Sequence, residues 1–123
     1  EEFDKEIVKR YEIYERYLSA FSGNQFRLQK LNNNLTKYTY SYFPVCFTNK
    51  KVRDRIYQVL LKNGIRARKY FYPPCHEFPY IKTDYPLPNT TRVSHTILCL
   101  PLYASLAMGD VNRIIGLIKN ELR

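Results

Sequence analysis

Long apolar runs are missing from this chain. The longest, around Phe43 to Phe47 and Ile97 to Leu102, fall far short of the roughly 20 residues that a membrane-spanning helix needs. The first residues are charged where a secretory signal would be apolar, so no leader is expected there. Cysteine is sparse: Cys46, Cys75 and Cys99 lie far apart, with no CxxC and no Cys/His ligand pair. That excludes a recognisable metal motif and a complete disulfide set, and it fits free thiols in a reducing cytoplasm. Two Asn-x-Thr matches, at Asn34 and Asn89, are read as chance, because a glycan acceptor needs a secreted protein. The chain also lacks a Gly-rich phosphate loop, a GxSxG elbow, an HExxH helix and any close pair of carboxylates in an apolar frame. No catalytic residue and no metal are therefore assigned. Acidic residues are few as well, 11 against 20 Lys and Arg, for a formal net charge of +9. Such a balance favours anionic partners: nucleic acid, a phosphorylated small molecule or an acidic protein face.

What is present describes one folded domain. A length of 123 residues, 45% hydrophobic and 15% aromatic, suffices for a single core, and no internal repeat occurs. Phe3, Ile7, Tyr11, Tyr14, Leu18 and Phe21 recur every three or four positions, predicting an amphipathic helix from Glu1 to Phe21 that stops at Ser22-Gly23. Phe26 to Lys30 predicts a short strand, followed by a polar turn at Asn32 to Asn34. Tyr38 to Phe47 predicts a longer strand with Tyr38, Tyr40 and Tyr42 on one face. Pro44 removes a ladder donor, so that strand should be an edge, bulged or broken there.

Thr48 or Asn49 should cap a helix over Lys50 to Asn63 with a buried stripe of Val52, Ile56, Val59 and Leu60, stopped by Gly64. Its Lys50, Lys51, Arg53, Arg55 and Lys62 read as a solvated basic face. Ile65 to Phe71 predicts another strand. About 25 proline-punctuated residues follow, a length that marks a functional loop in a small domain. A turn of helix is expected within Asn89 to Thr96, then a buried strand over Ile97 to Leu102. Val111, Ile114, Ile115, Ile118 and Leu122 predict a closing helix with Asp110 as its cap or first-turn acid. The expected class is α+β: a small antiparallel or mixed sheet of three to four strands with helices packed on one face.

The segment that stands out is Gly64 to Tyr80, GIRARKYFYPPCHEFPY. Three adjacent aromatics form a large apolar load, two prolines end regular pairing, and the string is cationic and closes near an imidazole. A wall of a ligand site fits this pattern; aromatics packing beneath a strand flanked by cations fit it equally. His76 is the better candidate of the two histidines, while His95, before a buried strand, reads as structural or surface. Cys75 reads as a packed thiol, since no base supports it as a nucleophile.

Taken together, GIRARKYFYPPCHEFPYI, the later Leu87-Pro88-Asn89-Thr90, VSHTILCLPLYASL and DVNRIIGLIKNEL resemble the C-terminal part of the DegT/StrS family of sugar aminotransferases. These are fold-type I enzymes that use pyridoxal phosphate. The opening KRYEIYERYL is similar to the helix that links the family's large domain to its small one. The resemblance implies that residues 1–22 are such a linker helix and residues 26–123 the small domain. It also implies that the Schiff-base lysine and most cofactor contacts lie in a large domain absent from this sequence, so that the piece holds no cofactor and is inactive alone. For the complete enzyme it implies amino transfer, typically from glutamate, to a keto sugar nucleotide in amino-dideoxy sugar biosynthesis, in the cytoplasm and as a homodimer.

Residue by residue, the resemblance places Arg68, Tyr70, Tyr72 and His76 at the active-site mouth against the nucleotide sugar, with Tyr80 as a further contact. Arg68 is suited to a diphosphate, the tyrosines to a sugar or base, and His76 to a hydroxyl or phosphate. The alternative is a small basic α+β module that binds nucleic acid or a protein without catalysis, with tyrosines on its sheet as a stacking platform. The aminotransferase reading instead expects an exposed apolar patch on the first helix and near the loop.

Overall fold

A computed structural model describes residues 1–32, 34 and 37–123 of the chain. The expected turn at Asn32 to Asn34 lies partly outside these residues, as does the rest of the Asn34 glycan match; within them the Asn34 amide donates to Asn32 Oδ1 at 3.0 Å. The elements in order are α1 (Glu2–Ala20), β1 (Arg27–Leu28), β2 (Phe43–Cys46), α2 (Lys50–Lys62), a 3-10 turn (Cys75–Glu77), α3 (Pro88–Thr96), β3 (Ile97–Leu100) and α4 (Met108–Glu121). The strands form one antiparallel sheet in the order β1-β2-β3. This is the α+β class that the periodicities predict.

One face of the sheet presents Phe43, Val45, Phe47, Leu98 and Leu100 to a core completed by Tyr14, Tyr17, Ile56, Leu60, Val111, Ile114 and Ile118. Each large side chain removed from water there contributes about 1.5–3 kcal/mol of transfer free energy. The other face carries Pro44, Cys46, Ile97 and Cys99, and it opens onto a concavity of about 750 Å³. Helices α1, α2 and α4 thus cover one side of the sheet and leave the other accessible.

Pro44 lies in the middle strand, opposite Cys99. Phe47 N–H donates to Thr96 O at 3.0 Å, so the odd-numbered residues of β2 turn their backbone groups toward β3 and the even-numbered ones toward β1. β1 ends at Leu28, opposite Val45, and the missing donor of Pro44 meets no ladder partner. The strand is central over Val45–Cys46 and an edge at Pro44, which is how a proline is tolerated there.

Two expected strands are shorter than the sequence suggests. Residues 38–42 lie outside β2 because Tyr40 adopts a left-handed φ of 48°, which no strand accommodates. The rings of Tyr38 and Tyr40 pack on α1 instead, with Tyr40 5.2 Å from both Tyr11 and Tyr14. The expected strand from Ile65 to Phe71 reduces to one bridge, Arg68 with Cys99, made by two N–H···O bonds of 3.0 and 2.9 Å. In an antiparallel ladder the next bonded pairs would be 66 with 101 and 70 with 97. Pro101 has no N–H, and its carbonyl accepts the Tyr17 hydroxyl at 2.9 Å. The Ile97 carbonyl accepts Arg53 Nη1 at 3.3 Å, and Phe71 turns the chain away with a φ of 49°. Both continuations are blocked. β3 likewise ends at Leu100 rather than Leu102.

Helix α1 is buried along Ile13, Tyr14, Tyr17 and Ala20, a face rotated from the predicted stripe. Phe3 and Tyr11, expected inside, are 58% and 44% exposed, with Tyr11 meeting the Tyr40 ring. In α2 the buried side chains are Arg53, Ile56 and Leu60. Arg53 therefore does not belong to a solvated face: its side chain has no exposed surface. Asn49 caps α2 by accepting the Val52 amide at 3.0 Å, and Gly64 takes the left-handed C-terminal position with a φ of 75°. α3 is a full nine-residue helix with Pro88 in its first turn, where the ring's fixed φ suits it. Asp110 sits in the first turn of α4 behind the cap residue Ala107. Replacing the cap by Asn49→Ala is expected to lower unfolding free energy by about 1 kcal/mol, measured by urea titration. An unchanged midpoint would remove the cap from the account.

Candidate functional site

After the Arg68–Cys99 bridge the proline-rich segment folds back toward α3. The Tyr72–Pro73 peptide is cis, Pro74 is buried, and the Pro74 carbonyl accepts the Glu77 amide at 2.9 Å to close the 3-10 turn that holds His76. His76 Nε2 lies 3.1 Å from Thr91 Oγ1 on α3, so the imidazole spans the gap between loop and helix. These two walls enclose a cavity of about 640 Å³, with Tyr70, Pro74 and His76 on one side and Asn89, Thr90 and Val93 on the other. Tyr70 also packs 5.6 Å from Tyr42 and lines the larger concavity over the open sheet face. That larger surface has the sheet as its floor and residues 24–29, Tyr42 and α3 at its sides. The smaller cavity gathers an imidazole, an amide and hydroxyls in an apolar frame, which is how small-molecule sites are built.

The five predicted residues separate. Tyr70 and His76 share the cavity. Arg68 holds its place through its backbone, and its side chain is exposed. Tyr80 is 80% exposed and stacks on Phe78 at 5.6 Å. Tyr72 turns away from the cavity toward α2: the Arg53 guanidinium carbon is 4.8 Å, the Lys50 ammonium 5.6 Å and the Lys69 ammonium 5.8 Å from its ring centroid. His95 lies edge-on to Tyr72 at 5.8 Å and 3.7 Å from Glu77 Oε1, consistent with its structural reading.

Sequence reasoning passed over the cluster behind Tyr72. Asp54 accepts hydrogen bonds from Lys50 Nζ at 2.8 Å and Arg53 Nε at 2.8 Å, and Lys69 Nζ stands 3.2 Å from it. Partial burial raises the Asp54 pKa, but hydrogen bonds from Lys50, Lys69 and Arg53 outweigh it and bring it down to about 2. The same bond from Asp54 holds the Lys50 ammonium above its usual range. On the open sheet face, burial pushes the Cys99 thiol up to about 11, so it stays protonated near neutrality and is a packed group. Arg53 was legible in one respect: it stands at i relative to Ile56 and Leu60 at i+3 and i+7, a cation within the helix's apolar stripe.

The lining of the His76 cavity includes no lysine and no arginine. It has no amine to form a Schiff base, so it does not fit the seat of pyridoxal phosphate.

The fold and cavity define a small α+β domain with a histidine-bearing wall, and comparison with known proteins places it. Residues 1–119 match the sequence profile of the DegT/DnrJ/EryC1/StrS aminotransferase family. The chain belongs to that family. It is similar to the dTDP-4-amino-4,6-dideoxy-D-glucose transaminase of Escherichia coli, 32% identical over 94% of this chain and 33% of that protein. The aminotransferase TlmJ from Streptoalloteichus hindustanus superposes with a TM-score of 0.85 at 26% identity, over 98% of this chain and 32% of that one. Helicobacter pylori PseC, an aminotransferase involved in pseudoaminic acid biosynthesis, shares the fold with a TM-score of 0.76 at 24% identity, over 94% of this chain and 32% of that one. The chain thus spans about a third of the length of the relatives it matches.

The Asp54 cluster makes a pH prediction. The folded-state pKa of about 2 lies below the unfolded carboxylate's roughly 3.9, so its stabilisation is complete above about pH 4 and lost as pH falls toward 2. Because the group is partly exposed, screening reduces the effect to about 1 kcal/mol. Asp54→Asn is expected to cost that much at pH 7 in urea unfolding, with the difference from wild type shrinking between pH 4 and pH 2. A difference independent of pH would contradict the pairing.

Proposed function

We propose that this chain is the small domain of a pyridoxal-phosphate-dependent aminotransferase acting on a sugar nucleotide, with residues 1–22 as the linking helix and 26–123 as the domain proper. The observation that carries the reading is the His76 cavity, formed by the segment whose sequence resembles the family's loop, in a chain whose match to the family runs over residues 1–119. The exposed Phe3, Val8 and Tyr11 of α1 and Phe71, Tyr80 and Tyr85 near the loop suit surfaces that a large domain covers. Tyr38 and Tyr40 pack on α1 rather than standing free, which speaks against a nucleic-acid stacking platform.

In this reading the chain supplies a wall and not the reacting lysine. Pyridoxal phosphate, seated by the large domain, supplies the electron sink that amino transfer requires. His76 binds a sugar hydroxyl or phosphate oxygen, exchanging Thr91 for the ligand as partner. Tyr70 packs flat against the sugar, and Tyr80 and Arg68, both exposed, meet the base and the diphosphate. Tyr72 belongs to the mouth by holding the loop from behind. The E. coli relative's dTDP-linked sugar indicates the substrate class, glutamate is the proposed amino donor, and the complete enzyme is a cytoplasmic homodimer. None of the described helices is long and apolar enough to cross a membrane.

In the complete protein, His76→Ala is expected to lower kcat/KM for the nucleotide sugar by about tenfold to a hundredfold, the value of a hydrogen bond to a charged or polar ligand group. Thr91→Val, which removes only the resting partner, should fall between the two. Steady-state kinetics at varied sugar nucleotide measures both; an unchanged specificity constant for His76→Ala would take the imidazole out of the site.

A further inference from the structure

We infer that Arg53, which is not among the residues lining the His76 cavity, is its positioning residue: its buried guanidinium fixes both walls relative to α2. Nη1 donates to the carbonyls of Ser94 at 2.9 Å and Ile97 at 3.3 Å. Both residues line the cavity on the α3 side. The flat face of the same group lies 4.8 Å from the Tyr72 ring, and Tyr72 connects Tyr70 and Phe71 to Pro74 on the loop side of that cavity. Nε binds Asp54, which also draws in Lys50 and Lys69. One side chain therefore contacts the loop wall, the α3 wall and the helix behind them.

A purely stabilising role does not account for this residue. Burying a charge is costly, and a well-packed apolar side chain in place of a buried ion pair is often neutral or stabilising. Here the cost is compounded, because Nη2 is buried and has no hydrogen-bond partner among the described residues. What an apolar side chain cannot supply is a planar cation that takes two carbonyls through Nη1 and Asp54 through Nε while its face lies on a ring. Ile97 is also the point where the sheet would otherwise continue: its amide is spent on Val93 O and its carbonyl on Arg53, where the segment after Arg68 leaves the ladder and forms the cavity loop. His76 bonded to Thr91 closes the same two walls from the front, so movement of either wall changes the imidazole's partner.

The proposal concerns the shape of the cavity and holds for any ligand bound there. It is tested on the full chain by NMR of Arg53→Met, Arg53→Lys and Tyr72→Leu. In Arg53→Met the His76 ring resonances should move and the amides of Val93 to Cys99 should exchange about tenfold faster, the effect of losing one net hydrogen bond. Tyr17 and Ile114, in α1 and α4, should keep their wild-type rates. Arg53→Lys retains the charge but neither the planar face on Tyr72 nor a second nitrogen for Asp54, and should resemble Arg53→Met. Acceleration spread evenly over α1 and α4, or an unmoved His76 resonance in folded Arg53→Met, would overturn the proposal in favour of a merely structural role. If Arg53→Met does not fold, Tyr72→Leu decides: a shifted His76 resonance supports positioning, and a wild-type spectrum overturns it.

Discussion

The carbonyl of Ile97 has two possible partners, a strand amide at position 70 or the guanidinium of Arg53, and it takes the guanidinium. With the Ile97 amide also spent on Val93 O and the chain turned at Phe71 by a φ of 49°, the segment after Arg68 pairs with β3 through one bridge only. The backbone cannot leave its hydrogen-bonding groups unpaired inside a protein, so an early exit from a ladder needs a side chain to replace the lost donor. Arg53 is that side chain, and the Tyr17 hydroxyl plays the same part at Pro101. The core of Phe43, Val45, Leu98 and Leu100 packs against three helices, and these two contacts stand where the ladder beside it ends.

Much of the framework was legible in residue spacing. The 3.6-residue periods of α1, α2 and α4, the stop at Gly64, the apolar run of β3 and the α+β class all follow from local pattern, because local pattern is what buries a helix stripe or a strand. The failures share a cause. Residues 38–42 look like a strand by composition, yet Tyr38 and Tyr40 have more to gain from rings on α1. Arg53 looks like one of several surface cations on α2, yet its position facing Ile97 makes it the one drawn inside. Both outcomes depend on which element lies opposite, and spacing within a segment carries no record of that.

The candidate site was legible in kind and only partly in detail. Adjacent aromatics, paired prolines and an imidazole mark the segment that forms one side of the cavity, where His76 and Tyr70 meet. Strict alternation would put Tyr70 and Tyr72, two positions apart, on one side; the left-handed φ of 49° at Phe71 breaks it, and Tyr72 goes to the cation cluster while Tyr70 goes to the cavity. Thr91 was passed over, since nothing in a nine-residue helix that opens with proline marks its hydroxyl as the partner of a histidine 15 positions earlier. Membership of the aminotransferase family and a cavity without a lysine fit together if this wall works opposite a second domain that carries the reacting amine.

The central claim is that the His76 cavity is where a sugar nucleotide meets this domain. A crystal structure of the complete protein with a dTDP-linked amino sugar tests it most directly. The account predicts the His76 imidazole within hydrogen-bond distance of a ligand oxygen, released from Thr91, with the Tyr70 ring against the sugar and Arg53 still on Ser94 and Ile97. A ligand bound elsewhere, with the His76–Thr91 contact intact and the cavity filled by the protein's own side chains, would contradict it.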